Sequence, residues 1–335
     1  MKRSGTPTPS PTARRHAKNL IKKGLLKKVK DSHHSLELTD SSKTGAPVSS
    51  SSDRKKSTIG IIGYGIVGQA VAYGFSRHPI LFYDKYKESA PLNKVVDQSD
   101  CIFVCLPTPI KSDESGIDLS IVQENISLVA SQTAGTDKII VIKSTVIPGT
   151  TKSFIQKYPR SLFCFNPEFL TEASFLQDFV NTDRVVIGAE NDLVRRRVAS
   201  LYQGLIPNTP IFHTDPTTAE MVKYMANCLL AARVIFANEM YDICQKLGVS
   251  YEEVRQMVAA DKRIGSTHLA VTSVRGFGGK CFPKDLLALR ALAKTLGVDT
   301  SMLDTVWKKN LAIRKTRDWE EIPFAVSQNG FGHRC

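Results

Sequence analysis

No stretch of the 335 residues approaches the roughly 18 consecutive apolar residues that a membrane-spanning helix needs, which excludes an integral helical membrane protein. The chain also has no CxxC pair and no regular cysteine framework, and its 7 cysteines are odd in number. Zinc and disulfide scaffolds are therefore disfavoured, no metal site is expected, and a reducing, cytoplasmic compartment fits best. Cys101, Cys105, Cys164, Cys228 and Cys244 lie in apolar runs, where a thiol acts as a small buried hydrophobe. There is no secretory apolar region either. Acidic residues are scarce in one place only. Residues 1–57 carry 14 Lys/Arg against 4 Asp/Glu, so most of the net charge of +13 belongs to this segment and the remainder is nearly neutral. A nucleic-acid-binding function argued from charge would rest on that extension alone.

What is present divides the chain. Residues 1–57 are rich in Ser, Thr, Pro and Lys, and are expected to be largely disordered because they bury too little apolar surface to offset ordering entropy. Within them, Leu20, Ile21, Leu25 and Val29 recur at near-helical spacing among lysines. That pattern would suit a surface helix on anionic lipid or nucleic acid, or a targeting element. From Thr58, short apolar runs alternate with helical periodicity. TIGIIG, ILFYD, CIFVCL, KIIVIKS, LFCFNPEF, RVVIG and PIFHT read as strands, with helices predicted after TIGIIG, over 118–132 and over DLVRRRVASLYQGL. This predicts an α/β fold, a Rossmann-like, doubly wound parallel sheet over 58–214. A single long helix is predicted from Pro216 to Leu247, capped by Asp215 and ended by Gly248. With shorter helices at 250–260, 283–296 and 301–315 it forms a small helical domain over 215–320, and residues 321–335 read as a tail.

Gly63-Tyr64-Gly65-Ile66-Val67-Gly68 ends a predicted strand and opens a helix, and Asp84 follows at the tip of the next strand. This is the context of a dinucleotide site: glycines for a tight turn and close approach of pyrophosphate, and a carboxylate for the adenine ribose, favouring NAD over NADP. Lys85 and Lys87 soften that preference. A second constellation is GFGGKCFPKD, Gly276 to Asp285. It places Cys281 near a helix N-terminus beside Lys280 and Lys284, which is expected to lower the thiol pKa, with Asp285 one turn on as a proton acceptor. Lys223 and Asn227 share one face of the long helix and would hold an oxyanion between them. Asn166-Pro167-Glu168-Phe169-Leu170-Thr171-Glu172 leaves two carboxylates at a strand end, and Lys143-Ser144-Thr145 closes another strand in the same way.

Taken in order, GYGIVG, the LPTP turn at 106–109, KSTVIPGT, NPEFLTEA, AEMVKYMAN, DKRIG and GFGGKCFPKD resemble the nucleotide-sugar dehydrogenases, the UDP-glucose/GDP-mannose 6-dehydrogenase family, over about residues 58–320. The resemblance implies NAD-dependent oxidation of a sugar C6 alcohol to the uronic acid, four electrons and hence two NAD per substrate. UDP-glucose oxidised to UDP-glucuronate is the expected reaction. GDP-mannose or a UDP-N-acetylhexosamine is the alternative substrate, and a catalytically silent NAD- or nucleotide-sugar-binding protein the alternative class. It also implies roles: Cys281 captures the aldehyde and carries a thioester, and Lys223 and Asn227 steady the oxyanion with Asp285 acting through water. Glu172 serves thioester hydrolysis with Thr145 positioning the water. Glu168, Phe169, Leu170, Gly276, Phe277, Gly278 and Gly279 match sugar-binding segments. Arg263 matches a residue that reaches a neighbouring subunit's substrate, and Thr108 and Lys284 match cofactor contacts. Arg275 is an additional cation read as meeting a diphosphate. The 50 residues that follow Asp285 are too few for an α/β domain, so a short form without the family's usual C-terminal domain is expected. The apolar face of the long helix implies a homodimer.

Overall fold

The computed structural model describes residues 56–327 together with two short strands, β1 (Leu26–Lys28) and β2 (Leu36–Leu38). These two pair antiparallel, with Lys27 opposite Glu37. The pairing replaces the helix expected through Leu25–Val29 at its C-terminal end, in keeping with the two-residue alternation of Leu36-Glu37-Leu38. The rest of the basic extension, and its expected disorder, lies outside the described residues.

The second unit carries β3 (Ile59–Ile62), β4 (Ile80–Tyr83), β5 (Cys101–Val104), β6 (Ile139–Ile142), β7 (Leu162–Phe165), β8 (Val185–Gly188) and β9 (Ile211–Thr214). They form one seven-stranded sheet in the order β4-β3-β5-β6-β7-β8-β9. Alternate residues of the central strands enter two different apolar clusters. Ile61, Phe103, Val141 and Cys164 belong to one, and Ile62, Val104, Ile142 and Phe165 to the other. Both faces of the sheet are thus covered, which is why these strands read as unbroken apolar runs. One pairing departs from the expected parallel sheet: β7 meets β8 through a single antiparallel bridge, Phe165 to Gly188, while β8 and β9 are parallel. A parallel neighbour needs a crossover element that packs back on the sheet. Between β7 and β8 the only helix is six residues long.

The helices are α1 (Ile66–Gly74), α2 (Leu92–Gln98), α3 (Ser120–Thr133), α4 (Thr150–Lys157), α5 (Phe175–Val180), α6 (Asp192–Leu205), α7 (Pro216–Leu247), α8 (Tyr251–Ala259), α9 (Phe282–Thr295), α10 (Ser301–Ile313) and α11 (Asp318–Glu321). The ends of α7 follow from its termini. The Asp215 carboxylate accepts the Thr218 N–H at 3.0 Å, and Gly248 takes the left-handed conformation (φ 71°) that stops the helix. The start of α7 lies against β8: a Cβ on Gly188 would come within 2.6 Å of the Ala219 Cβ. Farther along, Cys228, Ala231 and Ile235 join Phe277, Leu286, Leu287, Val306, Trp307 and Trp319 in a separate apolar cluster. The long helix is therefore the common wall of the sheet domain and of the helical region. No described helix is long and apolar enough to cross a membrane.

Candidate active site

The strand order reverses between β3 and β5, and ligands of open α/β sheets bind at the carboxyl ends of strands at such a point. Here the two strands are followed by the glycine turn and by Leu106-Pro107-Thr108. At the turn, Gly63 has φ 89°, and a Cβ on Gly68 would stand 2.1 Å from the Gly63 carbonyl oxygen, so helix and turn pack directly on each other. A Cβ on Gly65, by contrast, would meet nothing within 4 Å, and α1 begins there with no side chain capping its N–H groups. Open space in front of unpaired helical N–H groups is what a diphosphate requires, so the residues present fit a bound dinucleotide. The Asp84 carboxylate accepts the Tyr64 and Tyr86 N–H groups at 2.8 and 2.9 Å, bracing the turn while keeping lone pairs for a ribose.

From this turn a cleft of about 640 Å³ runs to the start of α9. Gly63, Gly65, Ile66, Val67, Asp84 and Thr108 line one part of it; Thr145, Glu168, Leu170, Glu172, Cys281 and Lys284 line the other. Cys281 is the N-cap residue of α9, and Pro283 lies in the first turn. Glu172 is exposed, with Oε1 3.5 Å from the Lys280 amide nitrogen. Immediately behind the thiol is a buried charged layer. Lys223 is paired with the Glu168 carboxylate at 2.6 Å and also donates to the Glu168 carbonyl at 2.8 Å. Asn227 donates to Asp285 at 2.6 Å, and Lys284 pairs with the same carboxylate. Burial alone would push the Lys223 pKa down, but the Glu168 and Asp285 carboxylates outweigh it and the net shift is upward. The Glu168 pKa moves below the carboxylate value for the complementary reason, the Lys223 charge overcoming burial. This is a committed ion pair.

Several expectations are corrected here. The Cys281 pKa is not lowered. Burial first, then the Glu168 carboxylate, push it up to about 11, against the opposing pull of Lys223 and Lys284. The lysines are there but are spent on neighbouring carboxylates. Lys223, Asn227 and Asp285 do not line the cleft, and Lys223 and Asn227 bond to separate carboxylates rather than facing one point together. Arg275 does not reach the cleft either. Its guanidinium is held by Asp242 at 2.7 Å and Asn238 at 2.6 Å, over the Tyr241 ring. Phe277 is a core residue, packed on Phe282 and Trp307. Gly276 and Gly278 approach Asn310 and Asp318 instead of open space. Phe169 turns from the main cleft into a cavity of about 20 Å³, beneath the Arg184 guanidinium. Arg263, expected to serve a neighbouring subunit's site rather than this one, is not among these corrections: it is 90% exposed and pairs with Asp261.

Sequence reasoning passed over two residues of the cleft and singled out a third, Lys143, only by its place at a strand end. Lys143, buried at the end of β6, lines the cleft and bonds Asn166 and Tyr202, and burial lowers its pKa to about 8. A lysine directly after a buried strand was the available signal. Tyr86 and, from the segment read as a tail, Phe324 also line the cleft. Nothing local in EEIPFAVS marks Phe324 as a site residue.

Comparison with known proteins gives two matches to one family. Residues 82–206 match the NAD binding domain of the UDP-glucose/GDP-mannose dehydrogenase family, and residues 217–312 match its central domain. The chain belongs to this family. A UDP-glucose 6-dehydrogenase of Rickettsia bellii is 35% identical over 235 residues, 69% of this chain and 53% of that protein. The chain spans about half the length of the curated relatives it matches. Among solved structures, a UDP-glucose dehydrogenase from Pyrobaculum islandicum superimposes with a TM-score of 0.70 at 28% identity, covering 77% of this chain and 68% of that one. A GDP-mannose dehydrogenase from Pseudomonas aeruginosa gives a TM-score of 0.57 at 26% identity over 76% of this chain and 68% of that one. The match to the family's NAD binding domain takes in β5 to β8 of the sheet, and the match to its central domain begins at the first turn of α7.

Proposed function

We propose that the chain is an NAD-dependent nucleotide-sugar 6-dehydrogenase whose substrate is UDP-glucose and whose product is UDP-glucuronate. The observation that carries the reading is that a single cleft holds both the dinucleotide turn and the Cys281 thiol. A structural cysteine would have no reason to open there.

NAD held in the cleft would supply the oxidant, one equivalent for the alcohol and, after exchange, a second for the thiohemiacetal. The chain's own residues do the rest. The Gly63–Gly68 turn and the start of α1 hold the diphosphate, and Asp84 the ribose. Cys281 adds to the aldehyde carbon: the C–S bond forms, the C=O π bond opens, and the thiol proton passes to the former aldehyde oxygen to give the thiohemiacetal hydroxyl. After the second oxidation the same carbon is a thioester. Water directed by Thr145 and Glu172 adds to that carbonyl, the C–S bond breaks, and Cys281 is regenerated as the acid departs. The buried Lys223 ammonium opposes negative charge on the Cys281 sulfur from behind the cleft wall. Its pairing with Glu168 makes that cation permanent.

The exposed side chains of Met225, Leu229 and Phe236, each more than half exposed, recur on one face of α7. They support pairing of two copies of the chain through this helix. Arg263, on the loop after α8, would then extend toward the partner's substrate. A substrate panel tests the function: UDP-glucose, GDP-mannose and UDP-N-acetyl sugars are each mixed with NAD and NADH is followed by absorbance. The reading expects two NADH per UDP-glucose consumed. One NADH per sugar, or none from any sugar, would overturn it.

A further inference from the structure

The segment after α10 is fastened to the cofactor side of the sheet domain. Asp318 accepts the Gly279 N–H at 3.2 Å and pairs with Arg314 at 2.9 Å, and Trp319 is buried against Trp307. Beyond α11 the chain runs alongside Ile110, just past the LPTP turn. The Ile110 N–H donates to the Ala325 carbonyl at 2.8 Å, and the Ser327 N–H donates to the Ile110 carbonyl at 2.6 Å. Between these anchors, Phe324 adopts φ 63°, a left-handed conformation that a bulky side chain rarely takes. The result is to hold its ring, 48% exposed, at the cleft, 5.4 Å from the ring of Tyr86, itself 69% exposed. Tyr86 follows Asp84 by two residues. Leu92, Pro107 and Leu128 complete an apolar end of the cleft around this pair.

Two large aromatic rings left in water beside the ribose-binding carboxylate imply a flat apolar ligand. The group joined to that ribose in NAD is adenine. We propose that Tyr86 and Phe324 form the adenine-stacking surface, so that the C-terminal segment contributes a cofactor-binding residue to the sheet domain. This rests on the NAD reading given above. Stacking and burial against these walls supply affinity at this end, with Glu124 and Asn125 on the same cleft wall as Leu128.

Titration calorimetry with the full chain and three ligands tests it: NAD, ADP-ribose, which keeps adenine, and nicotinamide mononucleotide, which lacks it. Phe324→Ala should weaken NAD and ADP-ribose about tenfold and leave nicotinamide mononucleotide unchanged. Phe324→Trp should keep NAD affinity. The thermal midpoint and Trp fluorescence of each variant report whether the segment is still docked. Unchanged NAD and ADP-ribose affinity in Phe324→Ala would overturn the proposal while leaving the NAD reading intact. An equal loss for all three ligands would overturn it as well, since that marks a general collapse of the cleft. If the unmodified chain binds none of the three, the NAD reading falls and the proposal with it.

Discussion

The Glu168→Gln substitution isolates what the buried charge layer does to the nucleophile. In the ligand-free chain the Cys281 thiol is raised from an ordinary 9.0 to about 11, with burial the first cause and the Glu168 carboxylate the second. At pH 8 about one thiol in a thousand is then ionised, against about one in eleven for a thiol at the ordinary value. The scarcer thiolate is the more nucleophilic, by about 0.4–0.5 log units per pKa unit. At equal access Cys281 should thus react with iodoacetamide about tenfold more slowly than a free thiol. Removing a neighbouring like charge lowers a thiol pKa, so Glu168→Gln should bring that of Cys281 down. Glu168→Gln also frees the Lys223 ammonium to act on sulfur. For a shift of about one unit, thiolate rises tenfold and nucleophilicity falls nearly threefold, so labelling should accelerate about three- to fourfold at pH 8. The assay is pH-resolved alkylation read at the Cys281 peptide by mass spectrometry, with near-UV circular dichroism to show that packing survives. If Glu168→Gln labels at the parent rate or slower with packing intact, or if the parent shows a labelling midpoint near pH 9, the electrostatic account of the thiol is wrong.

Other expectations follow from single sites. Gly65→Ala should leave the melting temperature unchanged but weaken NAD binding, because its Cβ would enter only the space reserved for diphosphate. Gly68→Ala, 2.1 Å from the Gly63 carbonyl, should lower the melting temperature as well. Asp285→Ala strands the Asn227 amide and the Lys284 ammonium, and should cost about 3 kcal/mol in urea unfolding. Glu220, fully buried and accepting the Gly149 and Thr151 N–H groups at 2.6 and 2.8 Å, has its pKa raised by burial from 4.5 to about 7. Because the folded state holds this proton more tightly than the unfolded one, its contribution is full below pH 4.5 and is lost as pH rises toward 7. That loss is about 3 kcal/mol at most, and the pH dependence of unfolding in Glu220→Gln should lack it. Phe236→Glu on the exposed face of α7 should convert a dimer to a monomer in sedimentation velocity; a dimer unaffected by the change would remove α7 from the interface.

Much of this fold was legible because local and global signals agree. Asp215, Pro216 and Gly248 mark both ends of a 32-residue helix, and the apolar runs of β3, β5 and β6 are buried on both faces. The short helices α2, α4 and α5 were missed because, at six to eight residues, they carry too few turns to show a period. At the site, residue types revealed which groups are present, but not how their charges are spent. Lys223 is four positions from Asn227 and Lys284 three from Cys281, the residues they were expected to serve, yet each lysine is claimed by a carboxylate. Phe324 was invisible for a related reason: its role comes from hydrogen bonds to Ile110, more than 200 residues earlier in the chain. The glycine turn and Cys281 were separable as motifs, but their sharing of one cleft is a property of the folded chain.

Intact-mass spectrometry of the chain mixed with UDP-glucose and excess NAD reads the nucleophile directly, in a Glu172→Gln background chosen to slow hydrolysis. The account predicts an adduct on Cys281 whose added mass is that of the nucleotide sugar less four hydrogens, absent when NAD is omitted or when Cys281 is replaced by Ser. Release of UDP-glucuronate by a Cys281→Ser chain at the parent rate, with no adduct at that position, would contradict it.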